Sequence, residues 1–100
     1  MSDPYFVRVA TGDLAELADA FDVVDEHAEL NHRYRKLIAE SRQVLAGDEI
    51  RLTQARGLAK RLMVLVKAAG PGFREDLPEP VRQVLDAGLA QADALVYGEA

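Results

Sequence analysis

The stretch LAKRLMVLVKAA spans residues 58–69, and residues 62–66 at its centre are five consecutive apolar side chains. In a helix, five residues at about 100° each pass once round the axis, so this turn is apolar on every side. Such a turn needs apolar cover on every side. The stretch therefore predicts either the central helix of a bundle or a seam between copies of the chain.

The flanks of this stretch favour a helix over a strand. Upstream, residues 51–61 are rich in helix-forming Leu, Gln, Ala, Lys and Arg, and their apolar positions recur at helical spacing. Downstream, Gly70-Pro71-Gly72 is a typical helix end, because glycine readily adopts the left-handed conformation found there. The sequence predicts a central helix over residues 48–69, with Asp48 as its N-cap.

Residues 13–46 contain neither Gly nor Pro, and Thr11 and Asp13 are suitable N-caps in front of them. A continuous helix here is about 51 Å long, whereas a compact globule of this size is only about 34 Å across. The apolar positions form two stripes displaced by about 120°, so the alternative is a break near Asn31, which can cap a second helix. Because no Gly or Pro marks a break, we expect one long helix that needs a second copy for cover.

Small residues predict where the last two helices cross. The final helix is expected to run from residue 79 or 80 to residue 96, since proline is well tolerated in a first turn. Gly88 and Ala92 lie on its apolar face, and the central helix carries Gly57 and Ala59. A glycine inside a helix costs about 1 kcal/mol relative to Ala unless a close approach compensates. We therefore expect these two helices to meet closely at the small residues.

The segments outside these helices are predicted to be an N-terminal arm and a loop. Residues 5–9 have the β-branched and aromatic content of a strand, but no partner strand is evident, and Asp3 can alternatively cap a short helix. We expect an extended arm over residues 1–12 that packs on a neighbour. Residues 73–80 are predicted to be a loop, because their two prolines disfavour helix before Glu79. Phe73 and Leu77 are expected to fold back onto the bundle.

Together these elements predict an all-α fold, a small bundle of three or four helices. It comprises the extended N-terminal arm and a single helical domain over residues 13–100. A chain of 100 residues buries only about two-thirds of its unfolded surface, so we expect dimerisation to complete the bundle. The expected dimer interface lies on two apolar stripes, which comprise Tyr34, Leu37, Ile38, Leu58, Leu62, Leu65 and Val66.

With 49% apolar and 29% charged residues, the composition is that of a globular and soluble chain. No apolar run approaches the roughly 18 to 20 residues of a spanning helix, and the N-terminus lacks the basic start of a signal peptide, so a cytoplasmic location is expected. The chain has no cysteine, which excludes disulfides, thiolate nucleophiles and the commonest structural zinc sites. No cofactor is expected.

The net charge of −5 is unevenly distributed along the chain. Residues 1–32 carry one basic against eight acidic side chains, residues 33–67 nine against three, and residues 68–100 two against six, which gives −7, +6 and −4. This segregation indicates that acidic and basic segments lie side by side, where each exposed pair contributes about 0.2 to 1 kcal/mol. The alternative is a basic patch for an acidic partner, carried by Arg56, Lys60 and Lys67 on one helical face.

An acidic row is the best candidate for a metal site. Asp22, Glu26, Glu29 and His32 follow one another at spacings of four, three and three, which place them on one face of a helix. Glu29 and His32 have the Glu-x-x-His form that di-iron helical bundles use in pairs. One chain supplies a single such element, so a dimer has to complete the site. The row lies on the side of the helix away from the first apolar stripe, which favours a solvated face instead.

These patterns favour binding over catalysis. No Gly-rich phosphate loop follows a strand, and no Ser/His/Asp arrangement can be inferred. We expect a non-enzymatic helical protein–protein interaction module, an adaptor, chaperone or regulatory subunit, that acts as a homodimer. One alternative is a metal-dependent all-helical hydrolase or oxidase with carboxylate ligands shared across a dimer. The other is a nucleic-acid-binding regulator that uses the basic central segment, although its acidic flanks repel phosphates.

Overall fold

Four α-helices and a small two-stranded sheet make up the fold, as described by a computed structural model for residues 7–98. The strands β1 (Arg8–Ala10) and β2 (Glu49–Arg51) pair with each other, and a 3-10 helix over Thr11–Leu14 follows β1. α4 packs along α1 and α3, and α2 packs on α1. The predicted all-α bundle is confirmed, whereas its completion by dimerisation remains a prediction. The helices are α1 (Ala15–His27), α2 (His32–Leu45), α3 (Leu52–Ala68) and α4 (Glu79–Tyr97).

A break at residues 28–31 divides the predicted long helix, so the expectation of one continuous helix is wrong. Ala28 is extended, with ψ at 144°. The Asn31 side chain then accepts a hydrogen bond from the Tyr34 backbone N–H at 3.1 Å and so caps α2. The radius of gyration is 13.4 Å, close to the value of about 13 Å for a compact chain of this length. Helix length therefore gives no reason for a second copy.

Arg35 secures the break by capping the end of α1. Its guanidinium donates from Nη1 to the Asp25 carbonyl oxygen at 3.2 Å, from Nη2 to that of Ala28 at 3.4 Å, and from Nε to that of Leu30 at 3.3 Å. The last carbonyls of a helix lack an intrahelical partner, and a cation is favoured beside them. One side chain of α2 thus holds α1, the linker and α2 together.

Replacing Arg35 should loosen this junction. We expect Arg35→Ala to lower the free energy of unfolding by about 1 to 2 kcal/mol, because three carbonyls lose a charged donor. Arg33→Ala, in the same exposed turn of α2, is the matched control and should change it by less than about 0.5 kcal/mol. Urea denaturation measures both variants. Equal stabilities for the two would show that Arg35 does not hold the junction.

β1 and β2 pair in an antiparallel register that places Val9 opposite Ile50. Ile50 is buried and Val9 is half-buried, so the sheet contributes one apolar face to the core. Thr11 extends the pairing, because its hydroxyl donates to the carbonyl oxygens of Gly47 and Asp48. The sheet therefore fastens the start of the described chain to the turn that precedes α3.

This pairing corrects two expectations. The described part of the predicted arm packs on its own chain, since residues 49–51 form the partner strand that sequence alone did not reveal. The central helix accordingly begins at Leu52 and not at Asp48. Tyr5 and Phe6, the aromatic part of the predicted arm, lie outside the described residues.

α3 supplies the centre of the core. Leu62 and Leu65 are fully buried, together with Phe21 of α1 and Leu85 of α4. Val64, in contrast, is 55% exposed, so the expectation that the apolar turn is covered on every side is wrong. α3 is covered on two sides by α1 and α4 and keeps one side open.

The loop between α3 and α4 follows the sequence closely. Gly70 has a φ of 105°, a left-handed conformation that favours glycine and ends the helix as predicted. Phe73 and Leu77 are buried against the core, which confirms that they fold back. α4 then begins at Glu79 with a proline in its first turn, also as predicted.

α4 packs on both α1 and α3, but the close approach at Gly88 is to α1. A methyl group added at Gly88 would overlap the Ala20 methyl and lie 2.6 Å from the Glu16 carbonyl oxygen. Gly57, the expected partner, is exposed, and an added methyl group there meets no atom within 4 Å. The prediction is therefore wrong for Gly57 and for the partner of Gly88, because sequence shows which residues are small but not which helix they face.

The two glycines should respond to the same substitution with opposite signs. We expect Gly88→Ala to destabilise the protein by about 1 to 3 kcal/mol, since α1 and α4 must move apart. Gly57→Ala should stabilise it by about 0.5 to 1 kcal/mol, because alanine favours the helix and nothing obstructs its methyl group. Thermal and urea unfolding give both values. A stabilising effect of Gly88→Ala would contradict the close packing of α1 on α4.

Gln91 of α4 caps the N-terminus of α1. Its Oε1 accepts a hydrogen bond from the Leu17 backbone N–H at 2.9 Å, and its Nε2 donates to the Asp13 carbonyl oxygen at 2.6 Å. The first backbone N–H groups of a helix need acceptors from outside it. Neither Thr11 nor Asp13, the caps expected from sequence, accepts a hydrogen bond from α1 in the described structure.

Candidate functional site

The helix break separates the predicted metal ligands. Asp22 and Glu26 lie on α1, Glu29 lies in the linker beyond it, and His32 is the first residue of α2. The four side chains therefore do not share one helical face, and the predicted row is wrong. Across residues 7–98 no three His, Asp or Glu side chains lie close enough together to hold one metal ion.

Two acidic side chains of α1, Asp22 and Asp25, face basic side chains of α2. Arg42 Nε lies 2.9 Å from Asp22 Oδ1, and Arg42 Nη1 lies 3.2 Å from Asp25 Oδ2. Arg35 Nη1 approaches Asp25 Oδ1 at 3.4 Å. These ion pairs confirm that the acidic and basic segments lie side by side. Asp22 serves the packing of α2 on α1, which leaves it poorly suited to be a metal ligand.

Most residues of the predicted dimer stripes are buried in the core of a single chain. Ile38, Leu58, Leu62 and Leu65 are buried in the core and offer no accessible side chain to a second copy. Their cover comes from neighbouring helices of the same chain, so they need no partner. Of the seven residues, half-buried Tyr34, Leu37 and Val66 retain exposed surface. The interface itself remains a prediction.

The open side of α3 carries the most distinctive surface of the described chain. Lys60, Val64 and Lys67 follow one another at spacings of four and three, so they share one face, and all three are exposed. Residues 52–68 contain four basic and no acidic side chains. We call Lys60, Val64 and Lys67 the outer face of α3. It combines an apolar contact point with two flanking cations.

Two arginines of α3 are turned towards the fold. Arg56 Nε donates to the Leu95 carbonyl oxygen of α4 at 3.0 Å, so it is not free to join Lys60 and Lys67 as predicted. Arg61 Nη1 donates to the Ser41 hydroxyl at 2.9 Å, and that buried hydroxyl donates to the Leu37 carbonyl oxygen at 2.7 Å. Arginine thus ties α3 to α2 and α4, while the lysines point to solvent.

A cleft continues the outer face of α3 towards the loop. It has a volume of 530 Å³, and Val66, Lys67, Pro71, Arg74 and Glu75 line it together with Gly70. The size suits one or two side chains of a partner. The apolar contact surface of Val64 therefore extends past Lys67 into a recess.

Arg74 holds the wall of this cleft against α4. Its Nε and Nη2 each lie 2.7 Å from an oxygen of Asp86, a two-point pairing that matches the guanidinium and carboxylate geometries. The hydrogen bonds from Arg74 and its positive charge hold the pKa of Asp86 below its usual value. This ion pair fixes the loop at the end of α3 relative to α4.

The Asp86 pair should make stability depend on pH. Because the pKa of Asp86 is lower in the folded state, its contribution is complete above the ordinary aspartate pKa of about 3.9 and disappears as pH falls through the lower folded value. We expect Asp86→Asn to lower Tm at pH 7. The difference in Tm between the variant and the wild type should shrink as pH falls below the ordinary aspartate pKa. Asp93→Asn, also on α4, is the control and should change Tm little at either pH. A pH-independent effect of Asp86→Asn would contradict the ion pair.

A second cleft lies between the α1–α2 linker and the α3–α4 loop. It has a volume of 510 Å³, and His27, Glu29 and Asp76 line it beside Phe73 and Leu77. Its polar groups are one imidazole and two carboxylates from exposed positions. Within residues 7–98 this cleft lacks the oriented base and nucleophile pair that covalent catalysis requires.

No protein-family model matches this chain, and no curated protein or solved structure matches it either.

Within the described residues, none of the helices has both the length and the apolar character needed to traverse a bilayer. Helical spacing predicted that Lys60 and Lys67 share one face of α3, whereas the exposure of Val64 was obscured by the apolar run that contains it.

Proposed function

We propose that the protein is a non-enzymatic protein–protein interaction module of the cytoplasm, an adaptor, chaperone or regulatory subunit that acts as a homodimer. Its outer face of α3 binds an acidic, amphipathic segment of a partner protein. The observation that carries this proposal is Val64, which is 55% exposed between Lys60 and Lys67 on a helix without acidic residues. An isolated apolar side chain flanked by cations matches a helix with a leucine between glutamates.

The ion pairing of the arginines supports a protein partner over a nucleic acid. Phosphate binding needs several cations that are free to replace counterions. Arg35 and Arg42 pair with acidic residues of α1, and Arg56 and Arg61 donate to groups of the fold. The acidic residues of α1 also add negative charge next to α2. The free charge at the outer face is therefore limited to lysines that flank an apolar contact.

The enzyme alternative has less support. A metal-dependent hydrolase or oxidase needs carboxylates that converge, and the helix break places Glu26 and Glu29 on different elements. A site shared across two chains would have to use these exposed side chains without a preformed half-site. A binding role needs only the outer face of α3 and a rigid scaffold behind it.

Fluorescence anisotropy with a designed probe tests the proposal. The probe is a labelled helical peptide with Leu on one face and Glu on both flanks, and the same peptide with Lys in place of Glu is its control. Val64→Asp should weaken binding of the acidic probe by about tenfold or more, since burying Val contributes about 1.5 to 3 kcal/mol and the new charge repels Glu. Reversing Lys60 and Lys67 to Glu should weaken it severalfold.

A matched variant controls for overall charge. Lys36→Glu, on the exposed side of α2, should leave affinity for the acidic probe nearly unchanged, and circular dichroism should show the same helix content for all variants. Equal affinity for the acidic and basic probes, or binding that Val64→Asp does not affect, would refute an acidic partner at this face.

A further inference from the structure

Exposed side chains without charge line one face of α4. Val84, Ala87, Ala90, Ala94 and Tyr97 follow one another at spacings of three, three, four and three, which keep them on one helical face. All five are exposed, and Val84 and Tyr97 are exposed by 39% and 73%. They are two of the three large apolar side chains exposed in the described residues. We call these five residues the neutral face of α4.

Charge singles out this face for contact with an identical copy. The exposed side of α1 carries Glu16, Asp19 and Glu26, and the outer face of α3 carries Lys60 and Lys67. Pairing either of those faces with itself across a two-fold axis places like charges together, which costs binding energy. The five side chains of the neutral face of α4 carry no charge, so they meet an identical set without direct repulsion between them. Its small residues also permit helix axes about 8 Å apart.

One antiparallel register pairs the two ends of this face with each other. With a two-fold axis between residues 90 and 91, Ala87 of one copy lies opposite the partner's Ala94, and Val84 lies opposite the partner's Tyr97. The largest exposed side chain thus meets the apolar residue at the other end of the face. Ala94 and Ala87 leave room for the close approach in between.

A groove is present where this register places the tyrosine. It has a volume of 250 Å³ and lies between α1 and α4, with Val84 and Ala87 as its apolar lining and Glu16 and Asp19 as its acidic edge. A phenol ring packs on apolar surface, and its hydroxyl donates to a carboxylate. The groove offers apolar surface for the ring and carboxylates for the hydroxyl at one place. No described residue of the same chain fills it.

We propose that two copies associate through an antiparallel α4–α4 contact, in which Tyr97 of each copy inserts into the groove of the other beside Val84, Glu16 and Asp19. This proposal gives a surface to the homodimer in the proposed function and rests on that part of it. The predicted stripes on α2 and α3 are then not the dimer interface. The outer face of α3 stays accessible in this dimer, so each assembly presents two such faces.

Sedimentation equilibrium of the full chain over a wide range of concentrations tests the association. We expect the wild-type protein to reach twice the chain mass of 11.0 kDa. Ala94→Glu combined with Ala87→Glu should weaken dimerisation by about tenfold or more, because carboxylates then face each other twice. Ala87→Glu combined with Ala94→Lys should restore the dimer, since this register pairs each new carboxylate with a new ammonium. Tyr97→Ala should weaken it by about tenfold, and Tyr97→Phe by less.

The controls separate this proposal from the proposed function. Lys60→Glu on α3 should leave the mass unchanged, while a monomeric α4 variant should still bind the acidic probe. A wild-type mass of 11.0 kDa at every concentration would overturn the α4 dimer. So would a dimer that Leu37→Asp dissociates and the paired Ala87→Glu and Ala94→Glu changes do not. Failure of the acidic probe to bind a dimeric protein would refute the binding face alone.

Discussion

The contact between Gly88 and Ala20 sets the distance between α1 and α4, and the remaining helices are placed around that pair. A side chain at position 88 would overlap Ala20 and the backbone at Glu16, so the two helices approach as closely as their backbones allow. This approach encloses Phe21 and Leu85 and leaves a surface that α3 covers. The core of so small a domain depends on this efficient packing, because few residues are available to bury.

Polar contacts then attach the elements that the core alone does not hold. α2 is rich in charge and buries few side chains, Ile38 and Ser41 among them. Its position depends on arginines at both of its contacts, with Arg35 and Arg42 facing α1 and Arg61 of α3 bound to Ser41. Part of the segregated charge of the sequence therefore holds α2 against α1, through ion pairs of Arg35 and Arg42 with Asp22 and Asp25. Lys60 and Lys67 of the outer face of α3 remain exposed.

Local signals were predicted well and tertiary ones were not. The start of α4 and the end of α3 followed from proline and from Gly70, since those residues constrain their own backbone. The break before α2, which the sequence offered only as an alternative, depends on a hydrogen bond that the Asn31 side chain accepts and on Arg35. Neither residue leaves a Gly or Pro signal. β2 is three residues long, too short for alternation to reveal. In the candidate site, the shared face of Lys60 and Lys67 was predictable from their spacing. The position of Arg56 was not, because its side chain donates a hydrogen bond to the Leu95 carbonyl oxygen, 39 residues away in the chain.

The Gln91 cap gives this chain an order of events during its synthesis. The N–H of Leu17 finds its acceptor 74 residues later in the chain, and the apolar side of α1 is covered by the same late helix. While the ribosome is still producing the middle of the protein, α1 has neither its cap nor its packing partner. Domains in general fold as units as they emerge, and here the first helix has to wait for the last. A nascent chain that stalls before residue 91 would present Leu17 and Phe21 to chaperones and proteases.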